Sequence, residues 1–353
     1  MRPYWQEHFL LPGQFHAGGR AVEEVIQQAR EAVAALVGCD SFELVFTDGA
    51  TEANNLAILG ADGTSGRKHL LVSPLEHDSV LHAALHAGRL GAEVELLPCD
   101  REGVVQAEVV AQKLRPDTLM VCLQAANPML GTIQPIRDVA DICHRNGTLL
   151  HCDATQVFGK QPFDVTQLHA DTVALSAHKF YGPKGAGALY VRRGLHLNAT
   201  RFGESQEMGI RAGAVNVPAI VGLGVAADLS ARCVLDAAVK LQSLTALFTA
   251  TLQGHFQQPL RIACEPSRRL PNTLAVILPS NARKVQRIAS QLVVATARPN
   301  DGTDPFSRML TAIGASADEQ AAAMRFSFGW TTNEEQVTDA AEILIEACER
   351  VRS

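Results

Sequence analysis

The sequence predicts an α/β protein built on a mainly parallel sheet, joined to a smaller α+β region. Stretches with helical spacing separate most of seven short apolar runs, which lie near residues 43–46, 69–73, 93–97, 118–123, 148–152, 172–176 and 187–191. Buried strands that alternate with helices are typical of a wound sheet, whose ligands bind at the carboxyl ends of the strands.

Helical spacing is clearest in the first half of the chain. Apolar residues from Val22 to Leu36 recur at the interval of one helix face, so residues 21–37 are predicted as an amphipathic helix. Further helices are predicted over residues 51–60, 77–88 and 136–145. Each of them lies between two of the apolar runs, as a wound sheet requires.

The second half of the chain has a different pattern. A long helix near 232–256 precedes mixed short elements, namely strands at 260–263, 273–278, 292–295 and 324–328 and helices at 305–313 and 333–351. This order is typical of a small α+β domain. We therefore predict a large domain over residues 14–230 and a small domain that combines residues 1–13 with residues 231–353.

Composition argues against several classes of protein. The 353 residues are 47% hydrophobic and 19% charged with a net charge of −6, so there is no basic face for nucleic acid. Eight cysteines without a CxxC pair suggest neither a zinc site nor a disulfide framework. The first residues lack the apolar stretch of a signal peptide, and the apolar segment 214–227 is interrupted by Asn216 and Pro218 and too short to cross a bilayer. The prediction is a reduced, cytoplasmic protein without a metal site, a nucleic-acid partner or a membrane span.

One segment carries the strongest chemical signal. Lys179 follows Ser176 and His178 and precedes a Gly-Pro-Lys-Gly-x-Gly turn, with a predicted strand on each side. A lysine at such a turn can bond covalently to an aldehyde beside a bound phosphate, which is the arrangement that pyridoxal phosphate (PLP) requires. The alternative is that Lys179 is an ordinary surface lysine in a hairpin. We favour the cofactor role because other segments of the sequence indicate the same cofactor.

Four further segments present groups that such a cofactor needs. Thr47–Asn55 follows a strand and opens a helix, so the backbone N–H groups of Ala50 and Thr51 can hold an anion. The other segments offer an imidazole (His77), a strand-end acid with an amide three residues later (Asp153 and Gln156), and a guanidinium (Arg325).

Together these motifs resemble the cysteine desulfurase family, the class V aminotransferase branch of fold-type I PLP enzymes. The resemblance runs from about Gln14 to the C-terminus and rests on SxHKxxGPKGxGxLY, GATExNN, EH and DATQ, in that family's order and spacing. It implies a fold-type I PLP-dependent transferase, with a large seven-stranded domain and a smaller α+β domain. It also implies a homodimer and the cofactor pyridoxal 5'-phosphate.

The resemblance further implies roles for the matching residues. Lys179 would hold PLP covalently, Asp153 would pair with the ring nitrogen, and His77 would stack on the ring, which makes these three the predicted catalytic residues. The remaining roles are a hydrogen bond to the ring hydroxyl (Gln156), the phosphate cradle (Ala50, Thr51, Ser176 and His178) and the substrate carboxylate (Arg325).

The chain departs from this family where sulfur is handled. Desulfurases attack the substrate sulfur with a loop cysteine, but in the matching segment, Ala295–Thr303, Arg298 stands at that place. The sequence has no cysteine between Cys264 and Cys348, and an arginine cannot act as a sulfur nucleophile.

Three other positions on the substrate side also differ. The family's substrate-binding asparagine is replaced by Pro128, with Asn127 one residue earlier as the candidate contact. Ala214 stands where the family often has a phosphate-binding threonine from the partner subunit, and Tyr4–Phe9 replaces the usual N-terminal stretch.

These matches and departures leave three hypotheses open. The favoured one is a PLP-dependent lyase that cleaves the C–S bond of cysteine or a cysteine derivative by β-elimination, without an enzyme persulfide. The second is a cysteine desulfurase that uses an external thiol acceptor. The third is a PLP-binding pseudo-enzyme or scaffold that partners sulfur or iron–sulfur assembly machinery.

Overall fold

The computed structural model describes residues 1–61, 66–204, 206–256, 260–265 and 267–352. The chain divides into two compact units. The larger unit comprises residues 1–97, 107–125 and 135–234, and the smaller unit comprises residues 98–106, 126–134 and 235–353.

This division differs from the predicted domains in two ways. Residues 1–13 cluster with the larger unit, in which Met1 approaches Gly222 and Leu10 approaches Gly18. The loops 98–106 and 126–134 cluster with the smaller unit, although they lie between strands of the larger one. The domain boundaries stay a prediction, and the two compact units differ from them at residues 1–13 and at these two loops.

Seven strands form the sheet of the larger unit. Their bounds are β1 (Leu44–Thr47), β2 (His69–Val72), β3 (Glu93–Leu96), β4 (Thr118–Cys122), β5 (Leu149–Asp153), β6 (Thr172–Ser176) and β7 (Gly187–Val191). The order across the sheet is β1-β7-β6-β5-β4-β2-β3, in which β7 is antiparallel to both of its neighbours and the other pairs are parallel. The predicted seven-stranded, mainly parallel sheet is confirmed.

The larger unit also contains seven helices within its described residues. They are α1 (Pro3–Gln6), α2 (Ala17–Val37), α3 (Ala50–Leu59), α4 (Asp78–Arg89), α5 (Ala107–Lys113), α6 (Ile136–Arg145) and α7 (Val165–Leu168). Helix α2 forms as predicted because its buried residues follow helical spacing, and it ends at Gly38, whose φ of 81° suits a left-handed cap. Helix α5 was not predicted, because it buries only Val110 and so has no periodic apolar face.

The parallel strands bring their carboxyl ends to one edge of the sheet. Strands β1, β5 and β6 are buried or nearly buried along their whole length, and they end at Thr47, Asp153 and Ser176. In the register of β5 with β6, Asp153 lies opposite Ala174. The residues that follow these strands therefore converge, as a wound sheet predicts.

The smaller unit is built on a four-stranded antiparallel sheet in the order β10-β11-β9-β8. Its elements are β8 (Arg261–Ile262), α9 (Ala282–Ile288), β9 (Thr273–Ile277), β10 (Ala295–Thr296), α10 (Pro305–Ala312), α11 (Ala317–Ala322), β11 (Ala323–Ser327) and α12 (Glu334–Arg352). Phe248, Val276, Met324 and Leu344 belong to its buried apolar core. Helices α9 and α11 were not predicted, and strand β10 is shorter and later than the predicted 292–295.

The long helix α8 (Val217–His255) corrects two predictions. It begins 15 residues earlier than the predicted 232, and Pro218 does not interrupt it, because a proline in the first turn removes only an N–H that has no helical partner. Among the described residues, α8 alone is long and apolar enough to cross a membrane by length and composition. Half of its most apolar window is buried inside the protein, as in a core helix.

Candidate active site

The predicted phosphate cradle begins at the first turn of α3. Gly49 precedes this ten-residue helix, and no side chain caps it. The first backbone N–H groups of an uncapped helix point outward as donors, and the helix dipole adds positive potential. Ala50 and Thr51, in that first turn, are thus suited to hold a phosphate.

Two acidic side chains flank this helix start, and arginines neutralise both. Arg211 contacts Asp48 at 2.9 Å and Glu52 at 3.2 Å, and Arg201 contacts the same two carboxylates at 3.1 and 3.3 Å. The paired carboxylates therefore oppose a bound anion much less than unpaired ones would.

Two glycines bring strand β6 close to the same helix start. Gly49 has a φ of 149°, and a Cβ atom there would lie 3.4 Å from Ser176 Oγ. A Cβ atom on Gly187 would lie 2.6 Å from Gly49 Cα and 2.5 Å from the carbonyl oxygen of Leu175, which is closer than any side chain tolerates. Only glycine allows this approach, which sets the Ser176 hydroxyl beside the first turn of α3.

The lysine segment forms a tight turn directly after β6. Residues Ala177–Phe180 make a 3-10 turn that carries His178 and Lys179 on its exposed side. Ser176 Oγ lies 2.9 Å from His178 Nδ1, which joins two predicted phosphate ligands. Desolvation and the neighbouring Lys179 and Lys184 lower the pKa of His178, so its ring is neutral near neutral pH and can share a proton with the hydroxyl.

Asp153 ends β5 as a buried carboxylate, only 8% exposed. Its Oδ2 accepts a hydrogen bond from Asn54 Nδ2 at 2.9 Å, and its Oδ1 accepts one from the backbone N–H of Thr155 at 3.0 Å. Among the described residues no lysine or arginine pairs with it. A buried carboxylate of this kind favours a cationic partner, which a protonated pyridine nitrogen would provide.

Asn54, fully buried on α3, connects Asp153 to two other polar residues. Its amide nitrogen also donates to Ser79 Oγ at 2.8 Å, and its Oδ1 lies 3.0 Å from His151 Nε2. Burial lowers the pKa of His151 to about 4, with the charge of Asp153 acting in the opposite direction. His151 is therefore neutral near neutral pH.

His77 lies at the start of α4, where its ring is exposed. Its Nδ1 accepts a hydrogen bond from the backbone N–H of Ser79 at 3.0 Å. The helix cap therefore fixes the orientation of the ring and leaves its faces accessible for stacking.

Gln156 lies three residues after Asp153 and is half-buried. Its Oε1 accepts from Lys160 Nζ at 3.2 Å, which turns the amide nitrogen away from that lysine. Within the described residues the amide nitrogen has no acceptor, so it can donate to an oxygen such as the ring hydroxyl of PLP.

The predicted carboxylate receptor, Arg325, lies in β11 of the smaller unit. Its Nη1 donates to the carbonyl oxygen of Pro128 at 3.2 Å, while its buried Nε has no hydrogen-bond acceptor in the described chain. Desolvation lowers the pKa of Arg325, and no carboxylate of the described residues pairs with it. A partly buried guanidinium with an unsatisfied Nε is suited to an anionic ligand.

The side-chain amide of Asn127 is bonded within a turn of the smaller unit. Its Oδ1 accepts hydrogen bonds from the backbone N–H groups of Met129 and Leu130, both at 2.8 Å, and its amide nitrogen lies 3.3 Å from Met309 Sδ. The side chain is fully buried and orders the turn that ends at Gly131. These contacts do not favour a substrate role for Asn127, which stays a prediction.

The loop that carries Arg298 is tied back onto α10. The backbone N–H of Arg298 donates to Ser307 Oγ at 2.8 Å, and its carbonyl oxygen accepts from the same hydroxyl at 2.5 Å. Asp301 accepts from the backbone N–H and the hydroxyl of Thr303, which closes the turn. The Arg298 side chain is 64% exposed, with only a 3.8 Å contact to Asp301.

Comparison with known proteins agrees with this arrangement. Residues 2–339 match the family model Aminotransferase class-V. The chain is 36% identical to the cysteine desulfurase IscS 1 of Archaeoglobus fulgidus, over 100% of this chain and 93% of that protein. The chain belongs to the class-V aminotransferase family, in its cysteine desulfurase branch.

Solved structures support the same conclusion. A NifS-like protein superposes with a TM-score of 0.91 at 30% identity, over 99% of this chain and 94% of that one. SspA, solved in complex with cysteine, gives a TM-score of 0.80 at 31% identity, over 93% of each chain. The predicted family and fold are confirmed.

This class-V aminotransferase is a PLP-dependent enzyme, as its family implies. The donor set of the larger unit fits the cofactor, because an uncapped helix start, a buried unpaired carboxylate and an available amide match a phosphate, a ring nitrogen and a ring hydroxyl. In the described residues no group of three or more His, Cys, Asp or Glu side chains could hold a metal ion.

Sequence reasoning missed three polar residues of this site, Asn54, Ser79 and His151. Asn54 lies inside the GATExNN motif, which by itself indicates no partner for its side chain. His151 precedes Asp153 by two residues in the same strand, so the alternation of a strand puts both on one face. That spacing was the available signal for His151.

Acid should weaken the fold through His151. Because its folded pKa of about 4 lies below the ordinary 6.5, the unfolded chain binds more protons between these values. The stabilising contribution is complete above pH 6.5 and is lost as the pH falls toward 4, by on the order of 2 kcal/mol at pH 5. Urea unfolding midpoints at pH 7 and pH 5 should therefore differ less in His151→Gln than in the wild type. The exposed His82→Gln is the control, and equal differences in all three proteins would contradict the prediction.

Proposed function

We propose that this enzyme cleaves the C–S bond of L-cysteine or a cysteine derivative by β-elimination, without a persulfide on the enzyme. The observation that carries the proposal is the segment Ala295–Thr303, which contains no cysteine and in which the family resemblance places Arg298 at the position of the desulfurase thiol. The sequence has no cysteine between Cys264 and Cys348, so no neighbouring residue can supply a thiol in its place. Hydrogen bonds between Arg298 and Ser307, and from Thr303 to Asp301, connect this loop to α10 and close its turn.

Cysteine as the substrate class rests on two observations. The related SspA was solved in complex with cysteine, and the curated relatives carry the name cysteine desulfurase. Arg325, a half-buried cation without a carboxylate partner among the described residues, supports an amino acid whose carboxylate it would bind.

The residues of the chain would divide the chemistry as follows. Bound PLP supplies the electron sink that lets an amino acid lose its α-proton. Lys179 would hold the cofactor and take up that proton on Nζ. Asp153 would maintain a negative charge at the ring nitrogen, and Ala50, Thr51, Ser176 and His178 would anchor the phosphate. His77 would stack on the ring, and Gln156 would bind its hydroxyl.

Elimination needs no thiol from the protein. The Cα–H bond and the Cβ–S bond of cysteine break, the sulfur leaves as sulfide, and water releases pyruvate and ammonia. Cysteine and one water thus give pyruvate, ammonia and hydrogen sulfide, with no net oxidation or reduction. Desulfuration would instead give alanine and would transfer the sulfur atom to an acceptor thiol.

The desulfurase remains the second candidate because the chain is 36% identical to a protein of that name. It would require an acceptor thiol from the substrate or from a sulfur-acceptor or iron–sulfur assembly protein. The scaffold hypothesis predicts cofactor binding without turnover.

Product analysis separates these functions. With L-cysteine, the wild type should form pyruvate, ammonia and sulfide in equal amounts, and radiolabelled sulfur should not remain on the protein. Arg298→Cys should not convert the enzyme to a desulfurase, since Pro128 also replaces the substrate-binding asparagine, and Arg298→Ala is its matched control.

Alanine formation with labelled persulfide on the unmodified chain would overturn the lyase proposal in favour of the desulfurase. Binding of cysteine without any product would favour the scaffold. Lys179→Ala should form no product in any of these assays.

We also propose that two copies of the chain form a homodimer. Phe15 and Phe202 are 98% and 87% exposed, which is unusual for large apolar side chains. Three further exposed apolar residues, Leu11, Phe42 and Met208, line one groove of about 580 Å³ in the larger unit. A second copy would bury this surface, in agreement with the homodimer that the family resemblance implies.

Light scattering at micromolar concentration tests the dimer. We expect twice the chain mass of 37.8 kDa for the wild type and a shift toward the monomer in Phe202→Asp. Leu96→Asp, which changes an exposed apolar residue on β3, is the control and should remain dimeric. A monomeric wild type would contradict the proposal.

A further inference from the structure

A chain of buried polar side chains runs from the interior of the sheet to Asp153. Thr172 begins β6, His151 lies in β5, and Asn54 lies on α3, and all three have no exposed surface. Thr172 Oγ1 is 2.9 Å from His151 Nδ1, and His151 Nε2 is 3.0 Å from Asn54 Oδ1. Asn54 then donates to Asp153 at 2.9 Å.

The chemistry of these groups allows one arrangement of protons. An ionised carboxylate only accepts, so the Asn54 amide nitrogen must face Asp153 and its oxygen must face His151. An amide oxygen also only accepts, so the proton of neutral His151 must lie on Nε2. His151 Nδ1 is then an acceptor, and the hydroxyl of Thr172 donates to it.

Asn54 also connects Asp153 to His77. The second N–H of its amide donates to Ser79 Oγ at 2.8 Å, and Ser79 Oγ lies 2.8 Å from His77 Nδ1. Because the backbone N–H of Ser79 also points at Nδ1, that nitrogen carries no proton and the ring has its proton on Nε2. One amide is thus bonded directly to Asp153 and, through the Ser79 hydroxyl, to His77.

We propose that Asn54 is a positioning residue, oriented by the Asp153 carboxylate and connected through His151 to Thr172, that helps to keep a proton shared with Asp153 on the ring nitrogen of PLP and directs the Ser79 hydroxyl toward His77. The inference rests on the proposed roles of Asp153 and His77 toward PLP. A carboxylate that accepts a hydrogen bond is a poorer base, so the shared proton stays on the ring nitrogen. Without that bond, the proton moves toward the carboxylate and the electron sink weakens.

Packing alone does not require polar side chains at these buried positions. Buried polar groups add little net stability even when they are paired, and they become costly when one partner is lost. Leucine and valine would suit the positions of Asn54 and Thr172 if packing were their only role. What the polar chain adds is a direction for the Asn54 amide, because the Asp153 carboxylate accepts only from its nitrogen, and this orientation places the His151 proton on Nε2.

The test places a nitrogen-15 label in the pyridine ring of PLP bound to the holoenzyme and reads its NMR shift at pH 7. Asn54→Ala should change the ratio of ring-protonated to carboxyl-protonated forms by about 10- to 100-fold toward the carboxyl, as expected for loss of a hydrogen bond to a charged group. Thr172→Val should move the shift in the same direction by less. Asn55→Ala is the control, because Asn55 lies on the same helix but bonds only to the carbonyl oxygen of Thr51.

A purely structural role for Asn54 predicts a different result. The variants would then lose thermal stability while the ring-nitrogen shift stayed at the wild-type value, and that result would overturn the proposal. If Asn54→Ala does not fold, Thr172→Val decides by the same shift.

A second readout does not depend on the cofactor. In cofactor-free protein with nitrogen-15 histidine, His151 should carry its proton on Nε2, and Asn54→Ala, which removes the acceptor for that proton, should give a mixture of tautomers. Failure of PLP to bind the wild type would refute the proposed function, but this measurement would still test the polar chain. A His151 proton on Nδ1 in the wild type would overturn the inference.

Discussion

The close approach of Gly49 and Gly187 is the constraint on which the site of the larger unit depends. At 2.6 Å between Gly49 Cα and the position of a Cβ on Gly187, no other residue fits at position 187. This contact brings an uncapped helix start against the end of β6, so that backbone donors and the Ser176 hydroxyl face a common point. Lys179 follows three residues later, and its position is a consequence of the same geometry.

The buried charge of Asp153 is the second organising feature of the larger unit. The carboxylate lies at the end of a buried strand without a cation among the described side chains, and Asn54 supplies one of its hydrogen bonds. An uncompensated buried charge is costly, which is why a cationic ligand would be bound strongly there. Arg325 in the smaller unit carries the opposite charge, and it too lacks a charged partner among the described residues. Its buried Nε has no hydrogen-bond acceptor in the described chain.

The sequence was sufficient to predict the seven strands, because most of them are short buried runs. The roles of Lys179, Asp153 and His77 stay predictions, which rest on the motifs that end or follow those runs. The prediction of elements failed where the signal was weak. Helices α5, α9 and α11 bury too few residues to produce a periodic pattern. The sequence predicts too late a start for α8 because Pro218 suggests a break, although the first turn of a helix accepts proline. The roles of Asn54 and His151 could not be predicted, because the role of a buried polar side chain depends on its hydrogen-bond partners. Most of those partners are distant in the sequence.

The most direct measurement is to reduce the PLP-loaded protein with borohydride and to map the labelled peptide by mass spectrometry. The label should lie on Lys179, and Lys179→Ala should lose the reducible chromophore while Lys184→Ala keeps it. Lys184 belongs to the same turn and is the matched control. A label on Lys184 or Lys160, or a reducible chromophore in Lys179→Ala, would contradict the assignment of the cradle.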